Sequence, residues 1–163
     1  MAAPFDDPQQ RRFDEELARL LERFPPDRSQ AAMLPALQLA QRILGWLPPE
    51  VLELVAARLD VPAARVREVA TFYSMLRPSP CGRHVVEVCT NLSCSLRGAE
   101  TLLAHLEAKL GVRAGATTDD KRVTLREAEC LASCGTAPCL VVDEELHENL
   151  TPEKVDRLLA RLD

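Results

Sequence analysis

Two pairs of cysteines, Cys89 with Cys94 and Cys130 with Cys134, constrain this chain more than any other feature. The first pair has the spacing C-x4-C and the second C-x3-C. Each lies where a strand-like run gives way to something else: HVVEVC ends at Cys89, and Val123–Glu129 runs into Cys130. Thiolates that close in sequence can face one centre, and two such pairs can close a tetrahedral sulfur cage around iron or zinc. A fold for this chain therefore has to bring two distant loops to one point.

The remaining composition narrows the setting. Hydrophobic residues make up 47% of the 163, enough for a packed core. The net charge of −5 offers no bulk attraction to nucleic acid or to an anionic membrane surface. No apolar run approaches the ~18 residues that span a bilayer. The opening MAAPFDDPQQ has neither a basic nor an apolar region, so no secretory signal is expected. A cytoplasmic setting keeps thiols reduced, and six cysteines there point to metal or catalysis before disulfides.

Composition changes near Arg77-Pro78-Ser79-Pro80, and all six cysteines follow it. Residues 1–78 read as a helical subdomain. Asp7-Pro8 is the expected cap and first helical position, followed by a Phe13, Leu17, Leu20, Leu21, Phe24 stripe that Pro25-Pro26 stops. Ser29 is the expected cap of a second helix, with Pro35 near its first turn or at a kink and Gly45 at its end. Pro48-Pro49 and Pro62 open two more, running through Leu59 and about Tyr73. Residues 79–163 alternate instead. A strand at His84–Cys89 is followed by a helix at Ser95–Leu110, ended by Gly111, then a turn at Thr117–Lys121. Strands follow at Val123–Glu129, Leu140–Val142 and Leu146–Glu148, and Thr151-Pro152 caps a last helix. The order β-α-β-β-β-α predicts an α/β or α+β unit, a small sheet flanked by helices in a thioredoxin-like layout.

Two irons bridged by two sulfides need four terminal ligands, and soft thiolates meet that need. With both irons ferric the assembly carries a formal charge of about −2, which the protein must stabilise. Cys94 directly precedes the expected helix. Its first-turn amides, Ser95, Leu96, Arg97 and Gly98, are therefore candidate donors to the sulfurs, and Arg97 adds positive charge. Gly135 would let the second loop approach closely. Structural zinc cages and dithiol redox sites both favour C-x2-C, which is absent here. A zinc-stabilised interaction module stays open on spacing alone.

The stretches VCTNLSCSLRGAETLLAHL, ECLASCGTAP and ENLTPEKVD, with REVATFYSML upstream, resemble the thioredoxin-like 2Fe-2S subunit of bacterial NADH-quinone oxidoreductase, the E subunit of respiratory complex I. The similarity runs from about Phe13 to Leu162. It implies one 2Fe-2S cluster on Cys89, Cys94, Cys130 and Cys134, and an N-terminal helical part that packs on a partner. It also implies an electron-transfer subunit of an oxidoreductase that exchanges one electron with FMN. NADH and FMN would sit on a neighbouring flavin subunit, with a large iron–sulfur subunit beyond it. The assembly would lie on the cytoplasmic side of the inner membrane without inserting into it. NAD-reducing hydrogenases and NAD-dependent formate dehydrogenases use a similar subunit. The resemblance also implies a cis Ala137-Pro138 bond.

Other features carry less. Cys81 and Cys139 have no counterpart among the implied ligands and read as small buried hydrophobes. LDVPAARVREVATFY could pass for a DNA-reading helical pair beside a cysteine cluster, but Glu68 balances Arg65 and Arg67 and its aromatics suit packing. Phe72, Tyr73, Met75 and Leu76 are expected to pack between the two parts. His84, His105 and His147 read as structural or surface residues, and Asp143-Glu144-Glu145 as a solvated turn. No G-x-G-x-x-G, P-loop or nucleophile elbow is present, so no dinucleotide site is expected on this chain.

Overall fold

Prolines and short polar caps set the helix boundaries in the first half of the chain. The computed structural model describes residues 4–162; residues 1–3 of the opening segment and residue 163 lie outside it. Helix α1 spans Asp7–Leu21. Its cap is Asp6, one residue earlier than expected. The Asp6 carboxylate accepts the Gln9 N–H at 2.8 Å, and the Gln9 side chain accepts the Asp6 N–H at 3.1 Å. That reciprocal pair satisfies two donors at once and moves Asp7 into the first turn.

A 3-10 turn over Pro26–Ala32 replaces the helix start expected at Ser29. The Ser29 hydroxyl instead donates to the Leu59 carbonyl at 3.0 Å. Helix α2, Met33–Leu44, ends at Gly45. Pro35 sits in its first turn, where a missing N–H costs no helical bond. Helices α3 (Pro49–Leu59) and α4 (Ala63–Phe72) begin after Pro48 and Pro62. Phe13, Leu37, Val51, Val55 and Val66 are fully buried in the core these helices share. The Gln41 side chain secures the segment after α4, accepting the Arg77 N–H at 2.6 Å and donating to the Met75 carbonyl at 3.0 Å. Of the residues Phe72, Tyr73, Met75 and Leu76, Leu76 is buried in the core of this helical unit, whereas Phe72 is 80% exposed and Met75 48%.

The chain divides into two compact units between Pro80 and Cys81. The second is a mixed α/β unit, with strands β1 (His84–Cys89), β2 (Val123–Ala128), β3 (Leu140–Val142) and β4 (Glu145–His147) in the order β2-β1-β3-β4. β1 runs parallel to β2 and antiparallel to β3, and β3 is antiparallel to β4. Side chains alternate across the sheet. Val86, Val88, Val123, Leu125 and Leu140 face the core together with Leu102 and Leu106 of α6 (Ala99–Leu110) and Val155 of α7 (Pro152–Leu159). Thr151 caps α7, accepting the Lys154 N–H at 3.4 Å. His105 and Asp156 join α6 to α7 at 2.8 Å. Asp143 does more than fill a solvated turn: its carboxylate accepts the Val85 N–H at 2.9 Å and meets His84 Nδ1 at 2.9 Å. Among the described residues, no helix is long and apolar enough to cross a membrane.

One residue of this unit tolerates no side chain. A Cβ on Gly82 would stand 2.9 Å from the Val123 nitrogen and 3.0 Å from the Arg122 carbonyl. Both obstacles are backbone, and the Gly82 N–H is tied to Thr124 Oγ1 at 2.7 Å. Gly82→Ala is expected to destabilise the unit by ~1–3 kcal/mol, read as a lower denaturation midpoint. An unchanged midpoint would show that the β2 entrance yields freely.

Candidate metal centre

The parallel pairing of β1 with β2 delivers both cysteine loops to the same end of the sheet. Cys89 closes β1 opposite Ala128, the last residue of β2. Beyond the strands, the Thr90 N–H donates to the Ala128 carbonyl at 3.0 Å, and Asn91 Nδ2 donates to the Glu129 carbonyl at 2.9 Å. The first loop is thereby stitched to the second at the residue preceding Cys130. In α/β sheets, carboxyl ends of parallel strands are where ligands bind, because the loops there are free to diverge.

The helix expected from Ser95 to Leu110 is two helices, α5 (Leu92–Leu96) and α6. Gly98, with φ +91°, separates them in a left-handed conformation that only glycine adopts without strain. Cys94 is therefore inside α5 instead of ahead of a helix. This changes the expected role of the following amides. Ser95 N–H donates to the Asn91 carbonyl at 2.8 Å, Arg97 N–H to Cys94 at 3.1 Å, and Gly98 N–H to Ser95 at 3.0 Å. These groups are spent on the helix, and the Leu96 and Arg97 side chains are exposed. The amides that reach sulfur come from other residues. Burial raises the Cys89 thiol, but hydrogen bonds from the Asn91 and Leu131 backbone, together with those of the Cys94 and Cys139 side chains, hold it below the ordinary thiol value. The Ala132 N–H reaches Cys130 Sγ at 3.3 Å, aimed by a left-handed turn at Ala132 (φ +57°). A Cβ at Gly135 would meet nothing within 4 Å, so the close approach expected of that residue is not seen.

Cys89 and Cys94 are buried, and Cys130 and Cys134 are exposed on the second loop. Cys134 begins a 3-10 turn, Cys134–Thr136, that packs against α5. Ser133 and Thr136 both hydrogen-bond the Glu148 carboxylate, which anchors that turn and lowers the acid's pKa. The sulfurs that converge most closely are those of Cys89, Cys94 and Cys139, all within 4.8 Å of one another. Cys139 is fully buried, and its sulfur lies 3.8 Å from that of Cys94. Burial pushes Cys94 up and pushes Cys139 up to about 12, with Cys94 and Cys89 adding to the Cys139 shift. The sequence placed Cys139 as a buried hydrophobe, and it is buried, but against the sulfurs. Ala137-Pro138, just before it, is cis. Cys81 is half-buried and lies at the other end of β1.

The profile of the thioredoxin-like [2Fe-2S] ferredoxins matches residues 17–163. The chain belongs to that family. It is 45% identical over 145 residues to an NADH-quinone oxidoreductase E subunit of Rhizobium meliloti (strain 1021), covering 89% of this chain and 85% of that one. It is 39% identical over 144 residues to the NADH-quinone oxidoreductase E subunit of Rickettsia bellii (strain RML369-C), covering 88% and 86%. Among solved structures, an air-oxidised NAD+-reducing [NiFe]-hydrogenase shares the fold with a TM-score of 0.71 at 21% identity. That match covers 80% of this chain and 22% of the hydrogenase chain.

An iron–sulfur cofactor suits the donor set of this ferredoxin. The donors are soft sulfurs, one of them is held toward the thiolate by two backbone amides, and the buried side of the site is apolar, built from Ala99, Ala137 and Leu131. The residue that sequence reading passed over is Asn91. It caps α5, offers its N–H to Cys89, and binds the Cys130 loop through its side chain. Its signal, an asparagine of common N-cap chemistry, was hidden because the helix was expected to begin only at Ser95. Asn91→Ala is expected to release the second loop and to speed cluster loss to a chelator roughly tenfold or more, as losing a supporting partner does at metal sites. Unaltered loss kinetics would reduce Asn91 to a helix cap.

Proposed function

We propose that this chain is the small electron-transfer subunit of an NADH-oxidising module, the counterpart of the E subunit of NADH-quinone oxidoreductase. The observation that carries this reading is the buried convergence of cysteine sulfurs where β1 and β2 end, in a chain 39–45% identical to such subunits over nearly its whole length. In this proposal Cys89, Cys94, Cys130 and Cys134 hold one 2Fe-2S cluster, which when bound supplies reversible one-electron chemistry. The chain's own residues do the rest. Two thiolates come from the rigid β1–α5 corner and two from the loop that Asn91 and Glu148 fasten. Amide donors on Asn91, Leu131 and Ala132 offset negative charge on sulfur, and the apolar floor limits water.

FMN and NADH would bind a partner flavin subunit, with a large iron–sulfur subunit beyond it, at the cytoplasmic face of the inner membrane. Leu92 and Leu96, 70% and 79% exposed and one helical turn apart on α5, form an apolar face beside the centre that suits such a partner. A hydrogenase module is the second reading, favoured by the shared fold. Copurification from the native host separates the two by the partner recovered.

The test is spectroscopic. Anaerobically purified protein is expected to be brown and to develop the resonance of a reduced 2Fe-2S centre with dithionite. Colourless protein carrying one zinc per chain would sink the reading.

A further inference from the structure

We propose that Cys89, Cys94 and Cys139 form a second kind of metal site, a buried three-sulfur seat for a single soft divalent cation in the chain that lacks its cluster. The three residues come from three elements: the end of β1, the middle of α5, and the residue preceding β3. Their approach is set by backbone pairing. Val88 is opposite Leu140 in the antiparallel β1–β3 ladder, and the Cys89 N–H continues it by donating to the Cys139 carbonyl at 3.2 Å. Cross-strand neighbours project to one face, so Cys139 and Cys89 point the same way, and α5 brings Cys94 to meet them.

The spacing suits one ion. Three sulfurs bound to a single cation at about 2.3 Å stand about 3.8 Å apart in a tetrahedral arrangement and about 4.0 Å apart in a trigonal one. The Cys94–Cys139 separation is 3.8 Å, and no sulfur of the trio is more than 4.8 Å from another. Little movement is needed to close the site. Thiolates select soft ions. Burial selects charge two over charge one, because three thiolates around a divalent ion leave a net charge of roughly −1 instead of −2 in an apolar pocket. The thiol protons go to solvent as the cation binds. A cation seated there withdraws Cys89 and Cys94 from iron, so zinc- or cadmium-class ions would block cluster assembly from inside the centre.

The site shares Cys89 and Cys94 with the proposed cluster but differs from it in the third sulfur, which makes the two separable. The full chain, stripped of iron and kept reduced under anaerobic conditions, is titrated with Cd2+ alone, and affinity is read by chelator competition alongside sulfur-to-metal charge-transfer absorption. One Cd2+ per chain with three sulfurs bound is expected. Cys139→Ser should weaken binding by more than the roughly ten- to hundredfold that loss of a merely supporting partner costs, and should remove about a third of the charge-transfer band. The double variant Cys130→Ser with Cys134→Ser should lose the cluster yet keep the cadmium site intact. Parental affinity in Cys139→Ser, or loss of cadmium in the double variant, would overturn the proposal. Should Cys139→Ser fail to fold, the double variant decides alone, since its changes lie at exposed positions. Cluster content after reconstitution is measured separately, so failure of the iron–sulfur reading and failure of this one give different patterns.

Discussion

Changing Cys94 to serine is expected to strip the chain of its iron–sulfur chromophore and of the resonance that dithionite develops, with bound iron falling by about nine-tenths or more. The same result is expected for Cys89→Ser, Cys130→Ser and Cys134→Ser. A serine hydroxyl is a hard and weakly acidic donor, and at the buried positions its alkoxide would face the apolar floor of Ala99, Ala137 and Leu131. The loss should be steepest at Cys94. This sulfur is held inside a helix and stands 2% exposed, so no solvent ligand reaches it easily. Cys81→Ser and Cys139→Ser are expected to keep full cluster content, because the first lies at the far end of β1 and the second supplies a sulfur beyond the proposed four. Iron and sulfide analysis after reconstitution checks all six variants. Equal loss in Cys139→Ser would move the fourth ligand from the exposed loop to the β3 side of the centre.

Placing charge on the outer face of α5 is expected to have the second-largest effect, on assembly. If the proposed flavin-binding partner docks on this face, Leu92→Glu with Leu96→Glu should weaken that association about a hundredfold, close to 2.7 kcal/mol, since each carboxylate would be carried into an apolar contact without a counter-charge. The fold should tolerate the change. Both side chains are largely exposed and belong to neither core, so the variant should melt where the parent does and keep its cluster. Association measured by titration calorimetry, with the cluster spectrum as a control, reads the two effects separately. Parental affinity in the double variant would place the partner elsewhere, and a lost cluster would show that α5 leans on these residues.

The alternation that a sequence displays survived where local forces decide. Strand β1 occupies His84–Cys89 as expected, because its three valines favour extended backbone and the run is too short to present a helical face. Pro48, Pro62 and Thr151 mark helix starts because their backbone preferences act within one turn. Misplacements arose where two local signals competed. Asp6 and Asp7 both suit a cap, and the reach of Gln9 chose Asp6. Gly98 stood within an apolar helical pattern, and its left-handed backbone divided the helix and moved Cys94 into α5. The amides expected to serve the sulfurs were thereby consumed by helical bonds, and loop amides of Asn91, Leu131 and Ala132 took their place.

Spacing along the chain was enough to single out two cysteine pairs as candidate ligands and to order the elements, because pairs within one loop and periodicities within one strand or helix are short-range properties. The position of Cys139 beside Cys94, the bond from Asn91 to the Cys130 loop and the open face of α5 were decided only by the folded chain. Each depends on register between β1, β2 and β3, and residues 45 positions apart become neighbours only when whole strands pair and bury their valines together.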